Sequence, residues 1–390
     1  MYLHYQEVRV AYVGNFLNYG SSLSTVGTAI VYMLAEFEEI EEIDVYCNSL
    51  ISTREQGYIP DKVNIFPIYD SRRPLSTLNL YSINWKKYDS VIFNILPTVF
   101  GKSSMINVIG LMAPIVLSKM GNENIKVIYH NSTMTNDIEQ LGYNSSRDKV
   151  RSLVLSMIEK LMFKTVSTFF PVNLYVNLVR TKVRGARVGY INLRYFEGLT
   201  TIFINSKNYA ESIKRPPRAS DEKMLLLHGY WGPQKNIELA LSSLMKIREK
   251  GIAFHLTLSG SVNSNFQAYE NEFNDIIKRY SSIIDERIDY VSERDIMLLF
   301  LKSDLVIIPY NTPGGHSGVL ETAITFENNV LCISHPEYIE QSSGFNRITF
   351  CNTKDFIQKL QECLELPQEM EQISISKKIE SAHKNLKEIL

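Results

Sequence analysis

Tryptophan and cysteine are both scarce in this chain, with 2 and 4 copies among 390 residues. Cys47, Cys332, Cys351 and Cys363 form no CxxC pair and no CxxC-H group. No metal-ligand spacing and no disulfide framework follows, and isolated cysteines of this kind read as small buried hydrophobes in a reducing compartment. An excess of one charge sign is also lacking. The formal net charge of -1 gives the whole chain no electrostatic pull on nucleic acid. The longest uncharged runs, Ser103–Ser118 and Thr165–Val179, fall short of the roughly 20 apolar residues that span a bilayer. Met1–Arg9 carries His4, Glu7 and Arg9 where a signal peptide has its apolar core. The expectation is a cytoplasmic protein, in which the sequons Asn131-Ser132-Thr133 and Asn144-Ser145-Ser146 carry no meaning. Repeats and low-complexity tracts are absent.

What is present is globular and long enough for two cores: 45% of residues are apolar and 21% charged. Val8–Val13 is a continuous apolar run of the kind buried on both faces of a parallel sheet. Thr25–Phe37 follows with helical spacing, and Ile43–Cys47, Val63–Ile68, Ser90–Ile95 and Ile125–Tyr129 read as further strands. Arg147–Lys164 reads as a helix, Thr201–Asn205 as a strand, and Ser206 as the cap of a short helix through Ile213. The prolines of Lys214–Asp221 mark a linker. Beyond it Lys223–Leu227, Ala253–Leu258, Arg287–Val291, Leu305–Ile308 and Asn329–Ile333 are strands. They alternate with helices at Ile237–Arg248, Phe266–Ser281, Asp295–Lys302 and Val319–Phe326. Such alternation predicts α/β architecture with two Rossmann-like doubly wound domains. The domains are 1–215, a linker at 216–222, 223–370, and a C-terminal helix at 371–390 placed back on the first domain.

Ligands of open parallel sheets bind beyond the carboxyl ends of the strands, so the loops there are the candidates. His228–Asn236 has Gly229 and Gly232 for close backbone approach, and Lys235 and Asn236 just before a helix N-terminus. Unpaired N–H groups and a lysine charge suit a phosphate there. By itself the loop also reads as a plain turn with an exposed lysine. Thr312–Gly318 holds Gly314, Gly315 and Gly318 with His316 and Ser317, an anion-binding turn or a flexible connector. The strand Ala253–Leu258 runs out into Ser259-Gly260-Ser261. In the first half Gly14 follows the first strand, and His130 follows Ile125–Tyr129, where a functional and a structural histidine are equally at home.

Taken together these loops resemble GT-B glycosyltransferases, in particular the large retaining group 1, or family-4, enzymes. The match is best over 223–341 and weaker over 8–36, 125–133 and 199–212. The resemblance implies two Rossmann-like domains facing a cleft. It implies that Lys235 holds the donor diphosphate, with Gly229, Asn236 and Gly260 lining that site. His316, Ser317, Gly318 and Val319, with Gly315, would hold the distal phosphate. Val291–Arg294 would lie by the base, His130 by the donor sugar, and Gly14 on the floor of the cleft. Two features depart from the family pattern. Tyr230 stands where the family has Arg, and the family's two Glu positions align with Gly314 and Thr322. Glu321 is one residue off, a turn of about 100° on a helix.

The resemblance implies transfer of a hexose from a UDP- or GDP-sugar to a glycan or lipid-linked acceptor, with retention. No obligatory metal or other cofactor is expected, and no nucleic-acid partner. The alternatives are a non-catalytic GT-B scaffold, which the displaced Glu favours, and a sugar-nucleotide epimerase. The stretch 149–194 adds a second expectation. It holds nine Lys or Arg and one acid, Glu159, which suits contact with an anionic membrane face. The apolar residues of Arg147–Lys164 are expected to pack inward.

Overall fold

The computed structural model describes residues 7–17, 22–49, 58–70, 72–96, 99–100, 104–121, 124–130, 146–170, 172–177, 187–205, 212–216, 222–312, 315–366 and 373–390. The chain forms two compact units. The first takes residues up to His130, the stretch from Ser146 to Asn205 and the terminal Glu380–Leu390, and the second takes Ser212–Ile379.

The first unit is built on strands β1 (Val8–Gly14), β2 (Ile40–Asn48), β3 (Val63–Tyr69), β4 (Ser90–Ile95), β5 (Ile125–Tyr129), β6 (Val172–Val176) and β7 (Val188–Tyr190). They form one sheet in the order β3-β2-β1-β4-β5-β6-β7, with every pair parallel. Parallel strands need crossovers, which come as helices α1 (Ser22–Glu36), α2 (Ser104–Lys119) and α3 (Ser146–Phe169), with α4 (Phe196–Asn205) closing the unit. β4 and β5 are buried at every residue, as unbroken apolar runs in a two-sided sheet must be. An aromatic group of Tyr46, Trp85, Tyr88 and Phe93 packs with Val91 and Leu80 on one face.

Thr201–Asn205 is helical, not extended, because it is the end of α4. The β-branched run Thr200–Ile204 mimics a strand, yet Phe196, Leu199, Ile202 and Phe203 are all buried. A short helix buried all round loses the polar face by which sequence tells it from a strand. Ser212–Ile213, expected to finish a helix, is a strand (β8). The remainder of that helix, 206–211, lies outside the described residues, as do 217–221 of the linker and both sequons.

The second unit holds β9 (Lys223–His228), β10 (Phe254–Ser259), β11 (Glu286–Ile288), β12 (Leu305–Ile308), β13 (Asn329–Ile333) and β14 (Ile348–Cys351). Their order is β11-β10-β9-β12-β13-β14, again parallel throughout. Helices α5 (Ile237–Glu249), α6 (Glu270–Arg279), α7 (Glu293–Lys302), α8 (Gly318–Thr325), α9 (Pro336–Gln341) and α10 (Phe356–Glu365) connect them. α5 buries Ile237, Ala240, Leu241, Leu244 and Ile247, the stripe its spacing predicts. β8 pairs antiparallel with β15 (Ile373–Ser374). Arg215 lies in this unit, its guanidinium donating to the carbonyl oxygens of Ser303 at 2.7 Å and Phe326 at 2.9 Å. α11 (Ile375–Lys387) ends the chain. Its last turns belong to the first unit, where His383 packs on the Phe37 ring and the buried Lys126 donates to the Leu390 oxygen at 2.7 Å. All four cysteines are buried and free. Among the described residues no helix is long and apolar enough to cross a membrane.

Candidate functional site

Strand order in the second unit reverses at β9, with β10 on one side and β12 on the other. The loops leaving β9 and β12 meet beyond this switch point, where open parallel sheets bind ligands. Asn311 N–H donates to the Gln234 carbonyl at 2.9 Å, and the Tyr310 hydroxyl to the His228 carbonyl at 3.3 Å. The β10 loop joins from the other flank. Gly229 N–H donates to the Ser259 carbonyl at 3.2 Å, Trp231 N–H to Ser261 at 2.9 Å, and Asn263 N–H to Trp231 at 2.8 Å.

Glycine is required where two of these loops touch. Gly260 has φ +94°, and a Cβ there would stand 2.0 Å from the Gly229 carbonyl oxygen. The close approach is thus between two backbones of the site itself, and no other residue fits at that point. Gly229 also has positive φ and lies under the Tyr310 hydroxyl and Val319.

A 3₁₀ turn, Pro233–Lys235, followed by Asn236 in the left-handed region (φ 47°), places Lys235 one residue before the N-cap of α5. Its Nζ lies 3.5 Å from the centre of the Tyr310 ring. The ring face carries negative potential, so it both orients the ammonium and replaces part of its hydration. Burial, and then the Lys235 charge, push His228 down to about 4. His228 is therefore neutral at pH 7, its Nδ1 2.8 Å from Ser259 Oγ.

α8 begins at a turn in which Gly315 has φ +100°, and Ser317 caps the helix by accepting from Leu320 N–H at 3.3 Å. Gly314 lies outside the described residues. One side chain from α9 organises this turn. Gln341 Oε1 accepts from Ser317 N–H at 3.0 Å, and Gln341 Nε2 donates to the Ser317 carbonyl at 2.8 Å and Glu321 Oε2 at 3.0 Å. His316 Nδ1 is 3.2 Å from the same amide nitrogen, and its Nε2 is 3.7 Å from Glu321 Oε2. Glu321 is 0% exposed. Its neighbour Thr322 turns its hydroxyl back to the Gly318 carbonyl at 2.9 Å, the habit of a threonine inside a helix. Glu321, not Thr322, therefore shares the helix entrance with His316 and Ser317.

In the first unit the strand order reverses at β1, between β2 and β4. A chain of buried polar groups lies at the carboxyl ends there. Asn94 Nδ2 donates to the Tyr12 hydroxyl at 2.9 Å, and Asn94 Oδ1 is 2.6 Å from His130 Nε2. Asn177 Nδ2 is 3.4 Å from His130 Nδ1. With Asn94 Oδ1 accepting, the His130 proton sits on Nε2 and Nδ1 is left to accept from Asn177. Gly14 is confined by this group: a Cβ there would lie 2.6 Å from the Asn94 carbonyl oxygen.

The sequence points to Gly229, Lys235, Asn236, Gly260, His316, Ser317, Gly318, Val319 and Glu321, and the second unit brings them to one end of its sheet. His130 and Gly14 lie in the first unit. Tyr310 and Gln341 carry no signal in the sequence. Tyr310 follows Pro309 as an ordinary strand-end aromatic, and Gln341 ends a six-residue helix with no motif. Among the described residues no group of three or more His, Cys, Asp or Glu is placed to hold a metal ion.

No protein-family model matches this sequence, and no curated protein matches it. Solved structures match over nearly the whole length. HepE of Anabaena, solved in complex with UDP and glucose, aligns with 98% of this chain and 97% of its own at TM-score 0.58 and 13% identity. The sucrose-phosphate synthase of Thermosynechococcus elongatus aligns with 98% and 95% at TM-score 0.63 and 10% identity. The UDP-GlcNAc 2-epimerase of Neisseria meningitidis, bound to UDP-GlcNAc, aligns with 97% and 100% at TM-score 0.53 and 11% identity. The fold is GT-B.

Proposed function

We propose that this GT-B protein is a glycosyltransferase that moves a hexose from a UDP- or GDP-sugar to a glycan or lipid-linked acceptor, with retention at the anomeric carbon. The observation that supports this most is the meeting of two anion-binding devices at one switch point: Lys235 on the Tyr310 ring, and the capped entrance of α8. Breaking an anomeric bond to a diphosphate leaves charge on the departing phosphates. A fixed ammonium and an oriented helix end offset that charge as it develops, with no metal required. In this reading Lys235 and the Ser317–Val319 turn take the phosphates, and Glu321 serves the sugar. The UDP held by HepE and the UDP-GlcNAc held by the epimerase make UDP the first nucleotide to try.

A second reading is a non-catalytic scaffold that binds a nucleotide sugar, favoured by the burial of Glu321 under Gln341. Two measurements decide between them. Incubation with UDP- and GDP-sugars and a panel of glycan and lipid-linked acceptors should release the nucleoside diphosphate. A nucleotide that raises the melting temperature while no acceptor yields release would leave only the scaffold. Loss of one epimer and gain of another without acceptor would instead reveal an epimerase.

A further inference from the structure

A cavity of about 520 Å³ opens on the first unit where β6 and β7 run side by side, with Phe170, Asn173, Tyr175, Arg187 and Gly189 in its wall. Val172, Leu174 and Val176 are buried, so the pleat turns Asn173 and Tyr175 to the opposite face of β6. Tyr175 is paired with Gly189, and a Cβ on Gly189 would lie 2.7 Å from Tyr175 Cδ1. The glycine therefore lets the Tyr175 ring lie across β7. Both faces of a parallel sheet are ordinarily covered by apolar packing. Here the two outermost strands turn an amide, a phenol and a guanidinium to a cavity instead. The Asn94, His130 and Asn177 group lies at the carboxyl ends of the same sheet and contributes nothing to this wall.

The basic span 149–194 supplies the cation. In its helix the expected inward packing holds for Phe163, which is buried, but not for Leu153, Met157 and Leu161, which are exposed. Arg187, further along, lines the cavity. Among the described residues the side chains of Asn173, Tyr175 and Arg187 make no hydrogen bond or ion pair. Burial raises the Tyr175 phenol above its ordinary value, so at neutral pH it keeps a proton to donate. The Arg187 guanidinium is a fork of N–H donors that fits a carboxylate or phosphate in two bonds. Lys119 Nζ stands 5.1 Å from the centre of the Phe170 ring and adds a second positive charge nearby, while no acid lines the cavity among the described residues. An amide and a phenol offer the mixed donors and acceptors that ring hydroxyls need, and an aromatic face packs on the C–H face of a pyranose. The volume falls within the roughly 300–1,000 Å³ of small-molecule sites. We propose that this cavity binds a pyranose carrying an acidic group. The carboxylate or phosphate lies on Arg187, the hydroxyls on Asn173 and the Tyr175 phenol, and the ring against Tyr175. A bare anion would leave the amide and the rings unused, and a neutral sugar the guanidinium. The site lies wholly in the first unit and does not depend on what the second unit binds.

Calorimetry on the full-length chain should show glucuronate or glucose 6-phosphate binding with a Kd on the order of 1 mM or tighter, and glucose and inorganic phosphate at least roughly tenfold weaker. Which acidic sugar binds tighter tells carboxylate from phosphate. Arg187→Gln should reduce the acidic sugar to the level of glucose. Tyr175→Ala should abolish binding, and so should Gly189→Val, which drives the ring off β7. Arg187 is exposed, so the melting temperature of Arg187→Gln should hold, and that variant decides by itself should the other two fail to fold. Lys235→Ala should leave the affinity unchanged, which separates this cavity from the site in the second unit. The proposal is overturned if neither acidic sugar binds, if Arg187→Gln binds like wild type, or if Lys235→Ala removes the binding. Inorganic phosphate as tight as glucose 6-phosphate would overturn it in favour of a simple anion site. A UMP affinity that Arg187→Gln lowers would make a nucleotide the occupant instead.

Discussion

Gln341 Nε2 lies 3.0 Å from Glu321 Oε2, and the same amide grips both the N–H and the carbonyl of Ser317. One neutral side chain thus fixes a buried carboxylate and the first turn of the helix above it. Gln341→Ala should leave Glu321 and Ser317 short of partners and cost about 2–4 kcal/mol by urea denaturation. Nucleotide affinity, measured by calorimetry with UDP and GDP, should fall with it. A variant of wild-type stability and affinity would show that this amide positions nothing.

Glu321→Gln should lower turnover more than Thr322→Val, because Thr322 spends its hydroxyl on the Gly318 carbonyl while Glu321 shares the α8 entrance with His316. Steady-state rates with the active donor check the order. The reverse order would place Thr322 at the sugar.

Lys235→Ala should weaken nucleotide-sugar binding roughly tenfold and change stability by about 1 kcal/mol, since the half-buried loop ammonium on the Tyr310 ring contributes one cation–π contact to folding. The same variant should raise the His228 pKa in a proton NMR titration, because the Lys235 charge is one of its two depressing causes.

His228 also makes stability depend on pH. Its folded pKa, about 4, lies below the ordinary 6.5. The unfolded chain therefore binds the proton first. Stability is full above pH 6.5 and falls as pH drops toward 4, by on the order of 3 kcal/mol if no other group compensates. Urea midpoints across that window for wild type and His228→Gln should differ in slope, and parallel slopes would assign the acid sensitivity elsewhere.

His130→Ala should cost about 1–3 kcal/mol, since it strips Asn94 Oδ1 and Asn177 of a buried partner. If turnover falls while the melting temperature holds, His130 serves the chemistry directly. Both dropping together would indicate that it acts by bracing the Asn94 network.

The alternation of apolar runs and amphipathic helices was enough to define two parallel α/β units, because burial on both faces of a strand must be written as an unbroken apolar run. Leu305–Ile308 and Asn329–Ile333 are read from sequence at the bounds the fold gives them. The loops around Gly229, Lys235 and Ser317 are legible for a related reason: glycine, lysine and a helix cap have few other uses at a strand end. What only the tertiary structure decided is which side of a segment meets a neighbour. Thr201–Asn205 belongs to a helix whose residues Phe196–Ile204 are all buried, in part against α1. Gln341 joined the site because α9 follows β13 back over the α8 entrance, a pairing of residues 20 and 24 positions apart in the chain. Glu159 of α3 turns inward because a distant strand presents the buried Tyr129 hydroxyl to its carboxylate. Local sequence sets the period of a helix, and long-range partners set its rotation.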